Sequence, residues 1–260
     1  MIEWLYRFSD LYIILFCIAV SLVAMFVVHA VCHKVVADKV PREGFKFAEA
    51  VHNSLISLCT LVLAFSLVQA IGNFRLVNTE VATEAAQINN LDRLLLRFNS
   101  PEANDVRQHL LAYAKSIVED DWPALINAGS SEKTTALFKP ISKGIIAIAP
   151  KNDRQVSLYS AALGLANDLE RMRETRLESG TLRIPLSYWE VIIFAMFAKV
   201  LLSALLDRSG FGTYVLAIQM AVLGALLGLV FVYDEPYKGE TSIKPDNFVS
   251  TIHKIESRVD

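Results

Sequence analysis

Cysteine is scarce in this chain: three residues in 260, Cys17, Cys32 and Cys59, each in or beside an apolar stretch. The polar middle of the chain, Asn73–Pro185, has none, which excludes a disulfide framework there, and no CxxC zinc pattern occurs anywhere. A surplus of one charge is also missing. Lys and Arg number 25 against 27 Asp and Glu, a net charge of −2, and nothing in that balance suits a nucleic-acid partner. There is no P-loop, no GxSxG and no HExxH, so no enzyme and no cofactor are expected.

Charge is rarest in four stretches, Leu11–Val31, Leu55–Gly72, Leu186–Leu206 and Phe211–Tyr233. Each is 18 to 23 residues long, and about 20 residues of helix cross a hydrocarbon layer of ~30 Å. The first is too long for a signal-peptide core and is followed by His33, Lys34 and Val35 rather than a small-residue cleavage site, so it reads as a retained helix. The expectation is an all-α membrane protein with four transmembrane helices and a helical soluble insert between the second and third. Its divisions are 1–72 for the first two membrane helices, 73–185 for the insert, 186–233 for the third and fourth, and 234–260 for a C-terminal tail.

Four crossings put both termini and the insert on one side. Trp4, Tyr6, Tyr12, Tyr188, Trp189, Tyr233 and Tyr237 cluster at that boundary, where amphipathic rings prefer to sit. Basic residues do not fix the absolute orientation. Eight flank the membrane on the insert side, while five occupy the short opposite loops, where each counts for more.

Within the insert, Leu76, Val77, Val81, Ala85, Ile88, Leu91, Leu95 and Phe98 recur at helical spacing, with no Pro or Gly after Gly72. The second membrane helix is therefore expected to run on into the insert and stop near Asn99. Ser100-Pro101-Glu102 then starts a helix to about Asp121. Two more are expected over Ser131–Ile148 and Asp153–Ser179, with a break at Gly180. Net charge across the insert is zero, with 14 basic and 14 acidic residues.

Several clusters admit two readings. Along the second membrane helix, Asn53, Ser57 and Thr60 share one side, and Ser66, Gln69 and Asn73 another. Such groups bond to their own backbone or to neighbouring helices, or they border water in a shared pore. In the pore reading the lining residues are Ser57, Thr60, Leu63, Ser66, Leu67, Gln69, Ile71 and Asn73, with Leu63, Leu67 and Ile71 as apolar constrictions. Ala217, Ala221, Gly224 and Gly228 share a face of the fourth helix and form a packing seam, within or between subunits.

His29, Cys32 and His33 have i, i+3, i+4 spacing, and they are metal candidates without an evident fourth ligand. Glu119, Asp120 and Asp121 close a helix against its dipole, so they call for a partner Arg, a bound cation or solvent, with Trp122 anchoring the turn. Arg171, Arg173 and Arg176 interleave with Glu170, Glu174 and Glu178, which reads first as a solvated, salt-bridged face. Lys199 sits in the otherwise apolar IIFAMFAKVLLSALL, with no acid in helical reach. It snorkels, meets polar groups on another helix, or faces water and a passing anion.

Four stretches carry a family resemblance: GFKFAEAVHNSLISLCTLVLAFSLVQAIGNFRLVNTEVATEAAQINNLDRLL (44–95), YAKSIVEDDWPAL (113–125), LERMRETRLESGTLRIPLSYWEVI (169–192) and FVYDEPYKGETSIKPDNF (231–248). They resemble the bacterial bestrophin-like membrane proteins, remote relatives of the bestrophins, which are pentameric anion channels with four membrane helices and a second helix lining the pore. The resemblance implies a homo-oligomer, by analogy a pentamer, in the bacterial inner membrane with termini and insert cytoplasmic. It would conduct small inorganic anions, with the lipid bilayer as its other partner; the sequence itself adds Lys199, which without a carboxylate to pair with would help attract an anion. The eukaryotic acidic calcium clasp has no evident counterpart, since only Asp234, Glu235 and Glu240 follow the fourth helix. A cation channel of the same build, and a non-conducting membrane-anchored adaptor or sensor, are the alternatives.

Overall fold

The computed structural model describes residues 3–35, 42–127, 129–205 and 210–258. Among these the chain is helical throughout, with no strand. Its helices are α1 (Asp10–Val35), α2 (Arg42–Phe98), α3 (Pro101–Ser116), α4 (Trp122–Ile126), α5 (Glu132–Ala147), α6 (Asp153–Ser179), α7 (Leu186–Leu205), α8 (Gly210–Tyr233) and α9 (Asp246–Glu256). A short 3₁₀ turn, Glu3–Arg7, precedes α1, and a π-helical turn, Ile117–Asp121, joins α3 to α4. Among the described residues four helices are long and apolar enough to cross a membrane: Asp10–Val31, Glu49–Phe98, Leu186–Ala204 and Gly210–Tyr233. The chain is an all-α membrane protein.

The backbone divides into two compact units. One comprises Met1–Phe74 with Arg183–Ser242, the other Arg75–Leu182 with Ile243–Asp260. α2 passes from the first into the second as one 57-residue helix. Nothing interrupts it: its only glycines are Gly44 and Gly72, and it contains no proline.

In the first unit the core gathers Met25 of α1, Cys59 and Leu63 of α2, Ile192, Ala195 and Val200 of α7, and Leu216, Met220 and Leu223 of α8. The α8 seam is internal to the chain. A Cβ on Gly224 would lie 2.8 Å from the Ile18 Cα and 2.9 Å from the Cys17 carbonyl, and one on Gly228 would lie 2.8 Å from the Ile14 Cα. The two glycines let the backbones of α1 and α8 touch.

In the second unit α3, α5 and α6 each begin where a capping residue falls. Ser100 accepts from the Ala103 N–H, Ser131 from that of Thr134 and Asn152 from that of Gln155. Side chains of this kind satisfy amide donors that the first turn leaves open. α2 stops at Asn99, which takes φ 54°, a left-handed stop that Asn tolerates better than most residues. Pro101 then occupies the first turn of α3.

Two features depart from the expected pattern. The helix from Pro101 loses α geometry at Ile117, where the π turn inserts. The C-terminal tail also contains a helix, α9, whose Phe248, Thr251, Ile252 and Ile255 are buried. Separations of three and four residues between them put all four on one helix face.

Candidate functional site

The outward surface of α2 is the first candidate. Within the first unit, Asn53, Ser57, Thr60 and Ala64 are exposed and Leu67 and Ile71 are half-buried. Steps of four and three residues put these six side chains on one strip of the helix. The Ser57 hydroxyl donates to the Asn53 carbonyl, 3.4 Å away.

The other expected lining residues lie off that strip. Leu63 is 1% exposed and belongs to the core between α1, α7 and α8. Ser66 is fully buried and donates to the Val62 carbonyl at 2.9 Å. Gln69 is exposed on a different side and donates to Asn73 Oδ1 at 2.9 Å, while Asn73 is half-buried. The eight residues therefore occupy several faces of one helix.

Within the second unit α2 shows a simpler outer face. Its exposed residues are Arg75, Leu76, Asn78, Thr79, Thr83, Ala86, Asn90, Arg93, Leu96 and Arg97. Thr79 and Thr83 spend their hydroxyls on carbonyls four residues back. That face holds three guanidinium groups and no carboxylate. All the acids of this half are elsewhere: Glu80 is half-buried, and Glu84 and Asp92 are fully buried.

The buried acids explain where the arginines of α6 go. Arg176, fully buried, reaches Glu84 Oε2 at 2.5 Å through Nε and Asp121 Oδ2 at 2.9 Å through Nη2. Tyr113 donates to the other Glu84 oxygen at 3.0 Å, and the Ser131 N–H donates to the other Asp121 oxygen at 2.7 Å. Burial opposes the charge on Arg176, but Glu84 and Asp121 outweigh it and hold the guanidinium above its usual range. Burial, with Glu84 adjacent, also pushes the Tyr113 phenol well up, so it stays a donor.

The π turn produces the split among the three acids. Asp121 points inward to Arg176, while Asp120 meets Lys133 at 2.8 Å and Ser116 at 2.7 Å. Trp122 is buried edge-on to Phe248 of α9. Of the other α6 arginines near Arg176, Arg173 donates to Thr135 and lies over the Phe138 ring at 5.7 Å, and exposed Arg171 pairs with Asp168. A third buried carboxylate, Asp92, accepts from Arg107 at 2.7 Å and Arg258 at 2.6 Å, tying the chain just past α9 to α2 and α3.

Lys199 is fully buried in the first unit. Its Nζ contacts the His52 imidazole of α2 at Nε2 and the Gln219 Oε1 of α8 at 3.1 Å. Of its three expected settings, the one observed is contact with polar groups on other helices. Neither partner is marked in the sequence: Gln219 is one of the few polar side chains inside the fourth apolar stretch, and His52 lies three residues before the second. Of the metal candidates, the His29 ring faces the Ala204 carbonyl at 3.3 Å, while the side chains of Cys32 and His33 lie outside the described residues. Among the described residues no three His, Cys, Asp or Glu side chains gather to hold a metal.

Past α8, Asp234 accepts from the Ile184 N–H at 2.7 Å and from the Trp189 indole, and Glu235 meets Arg183 at 2.9 Å. Burial raises both carboxyls above the ordinary range, and the donors only partly offset it.

Comparison with solved structures gives a fold match along nearly the whole chain. A mutant of a bacterial bestrophin homologue from Klebsiella pneumoniae is 14% identical, with a TM-score of 0.65 over 93% of this chain and 98% of that one. The same homologue solved by Zn-SAD phasing is 15% identical, with a TM-score of 0.63 over 94% and 96%. A further solved membrane protein is 14% identical, with a TM-score of 0.62 over 95% and 96%. A search of curated proteins finds no match. The family model of the bestrophin-like domain matches residues 12–248, so the chain belongs to the bestrophin-like family, a family of membrane channels.

Proposed function

We propose that the chain assembles as a homo-oligomeric channel for small inorganic anions, with the outward strip of α2 lining the pore. The subunit number proposed is five, by analogy with the bestrophins, in the inner membrane with termini and insert cytoplasmic. The observation that carries the anion reading is the outer face of α2 beyond Phe74: Arg75, Arg93 and Arg97 are exposed, while Glu84 and Asp92 are fully buried and Glu80 is half-buried. Copies arranged around an axis would line a vestibule with positive charge, which concentrates anions near the pore. In the membrane half, Ser57 and Thr60 would offer hydroxyls to the ion path. Leu67 and Ile71, on the same strip, would form constrictions of the kind that gate by dewetting. Lys199 has no part in this arrangement, being enclosed by His52 and Gln219.

The test is purified protein reconstituted in a planar bilayer under a salt gradient. Single-channel steps with a reversal potential following chloride are expected. A potential that follows the cation instead overturns the anion assignment in favour of the cation channel. Silence from a folded oligomer overturns conduction itself and favours the adaptor reading.

A further inference from the structure

We infer that Lys199 and His52 form a proton-binding site that takes one proton, set where α2, α7 and α8 meet inside the first unit. Lys199 is fully buried and His52 is 2% exposed. Their neighbours are apolar or neutral. Cys59 donates to the Ala195 carbonyl at 3.5 Å, and Ser203, also fully buried, donates to that of Val200 at 2.7 Å.

Among the described residues no carboxylate is hydrogen-bonded to or ion-paired with Lys199 or His52. On α2 the nearest acid is Glu49, exposed toward the start of the helix, and on α7 it is Glu190, nine residues from Lys199 and exposed. α8 brings Gln219 and no acid, its tyrosines lying at Tyr214, which is exposed, and Tyr233 at the far end. α1 brings Cys17 and His29, the latter turned to the Ala204 carbonyl.

An ammonium donates and never accepts, so its bond to His52 requires a lone pair on the imidazole. Lys199 Nζ lies within reach of both ring nitrogens, Nε2 and, at 3.3 Å, Nδ1, so one of them can accept while the other keeps the ring proton, and a second Lys199 hydrogen goes to Gln219 Oε1. The charge is thereby shared over one hydrogen-bonded triad joining three helices. Adding a second proton removes the acceptor and sets two positive charges in contact among apolar side chains. Like charges at that separation cannot both be held. The second proton therefore breaks the Lys199–His52 bond and leaves both cations to share one neutral acceptor, Gln219 Oε1, 3.1 Å from Lys199 Nζ and 3.2 Å from His52 Nε2. Acid thus releases α7 from α2, making the site a proton-operated latch. This inference does not depend on conduction.

The test follows His52 itself. The full chain in phospholipid nanodiscs, with ¹⁵N-labelled histidine, has five imidazoles, and the signal lost in His52→Gln identifies His52. Lys199→Met is expected to move the His52 protonation midpoint upward by about one pH unit or more, because the competing charge is gone. A midpoint unchanged within about 0.3 unit overturns the shared site. A second reading needs no Lys199 variant. Between about pH 7.5 and 5.5, the span in which histidine ordinarily charges, the wild type should lose thermal midpoint relative to His52→Gln. Parallel curves overturn the latch. Neither readout uses an ion current, so failure here and failure of the channel reading remain separate results.

Discussion

At Asp121 the backbone departs from α geometry and an unfavourable run of acids becomes a buried ion network. A regular helix through Glu119, Asp120 and Asp121 would set three carboxylates against its own C-terminal dipole. The π turn aims one of them at Arg176 and leaves another to the exposed Lys133. Removing the guanidinium would strand Glu84 and Asp121, both fully buried. Arg176→Met is therefore expected to destabilise the protein by about 3–5 kcal/mol, measured as a loss of chemical or thermal unfolding stability. Arg171→Met, which removes an exposed pair with Asp168, is the control and should change stability by less than about 1 kcal/mol. Equal effects would refute the network's role. The sequence showed both halves of this network, a run of acids wanting a partner and an arginine cluster on α6. It did not show that they meet, because 55 residues separate Asp121 from Arg176 and only the packing of α6 against the π turn closes that gap. The same holds for Lys199. Its need for a polar neighbour followed from hydrocarbon physics, but His52 lies 147 positions away and on another helix.

Elements with strong local punctuation were legible and those without it were not. α6 begins and ends where the cap at Asn152 and the break at Gly180 put it, and α2 continues out of the apolar stretch because neither Pro nor a run of Gly stops it. The π turn has no such signature, since Ile117–Asp121 contains neither Gly nor Pro, and its partner Arg176 lies far along the chain. α9 is short, and its apolar face counts only once Phe248 has Trp122 to pack on. The α8 glycines were read as a seam with an unknown partner, and α1 is that partner. Adding a methyl at Gly224 or Gly228 pushes on backbone atoms, which cannot swing aside. Gly224→Ala and Gly228→Ala should each cost about 1–3 kcal/mol and lower the thermal midpoint in detergent. Gly72→Ala, with nothing within 4 Å of the added carbon, should hold or raise it, as Ala in a helix does. If all three variants melt alike, the close approach of α1 and α8 carries no weight.

For the whole molecule, net charge was uninformative because opposite charges cancel across the insert, with acids and bases equal in number. What matters is which side of α2 each charge takes. Glu84 and Asp92 face inward, neutralised by Arg176, Arg107 and Arg258, so the outer face keeps Arg75, Arg93 and Arg97 without a compensating acid. This separation of charge is physical grounds for anion attraction, and it makes a salt-dependent prediction. With all three arginines replaced by Gln, chloride conductance at low ionic strength should fall several-fold, because a vestibule field acts by raising the local ion concentration. The deficit should shrink as salt rises and disappear near 1 M, where the screening length is about 3 Å. Replacement by Glu should go further and move the reversal potential toward the cation. A deficit that persists at high salt would mean the arginines shape the pore rather than charge it. Unaltered conductance at every salt would assign the outer face of α2 to subunit contact and remove the basis for anion selectivity.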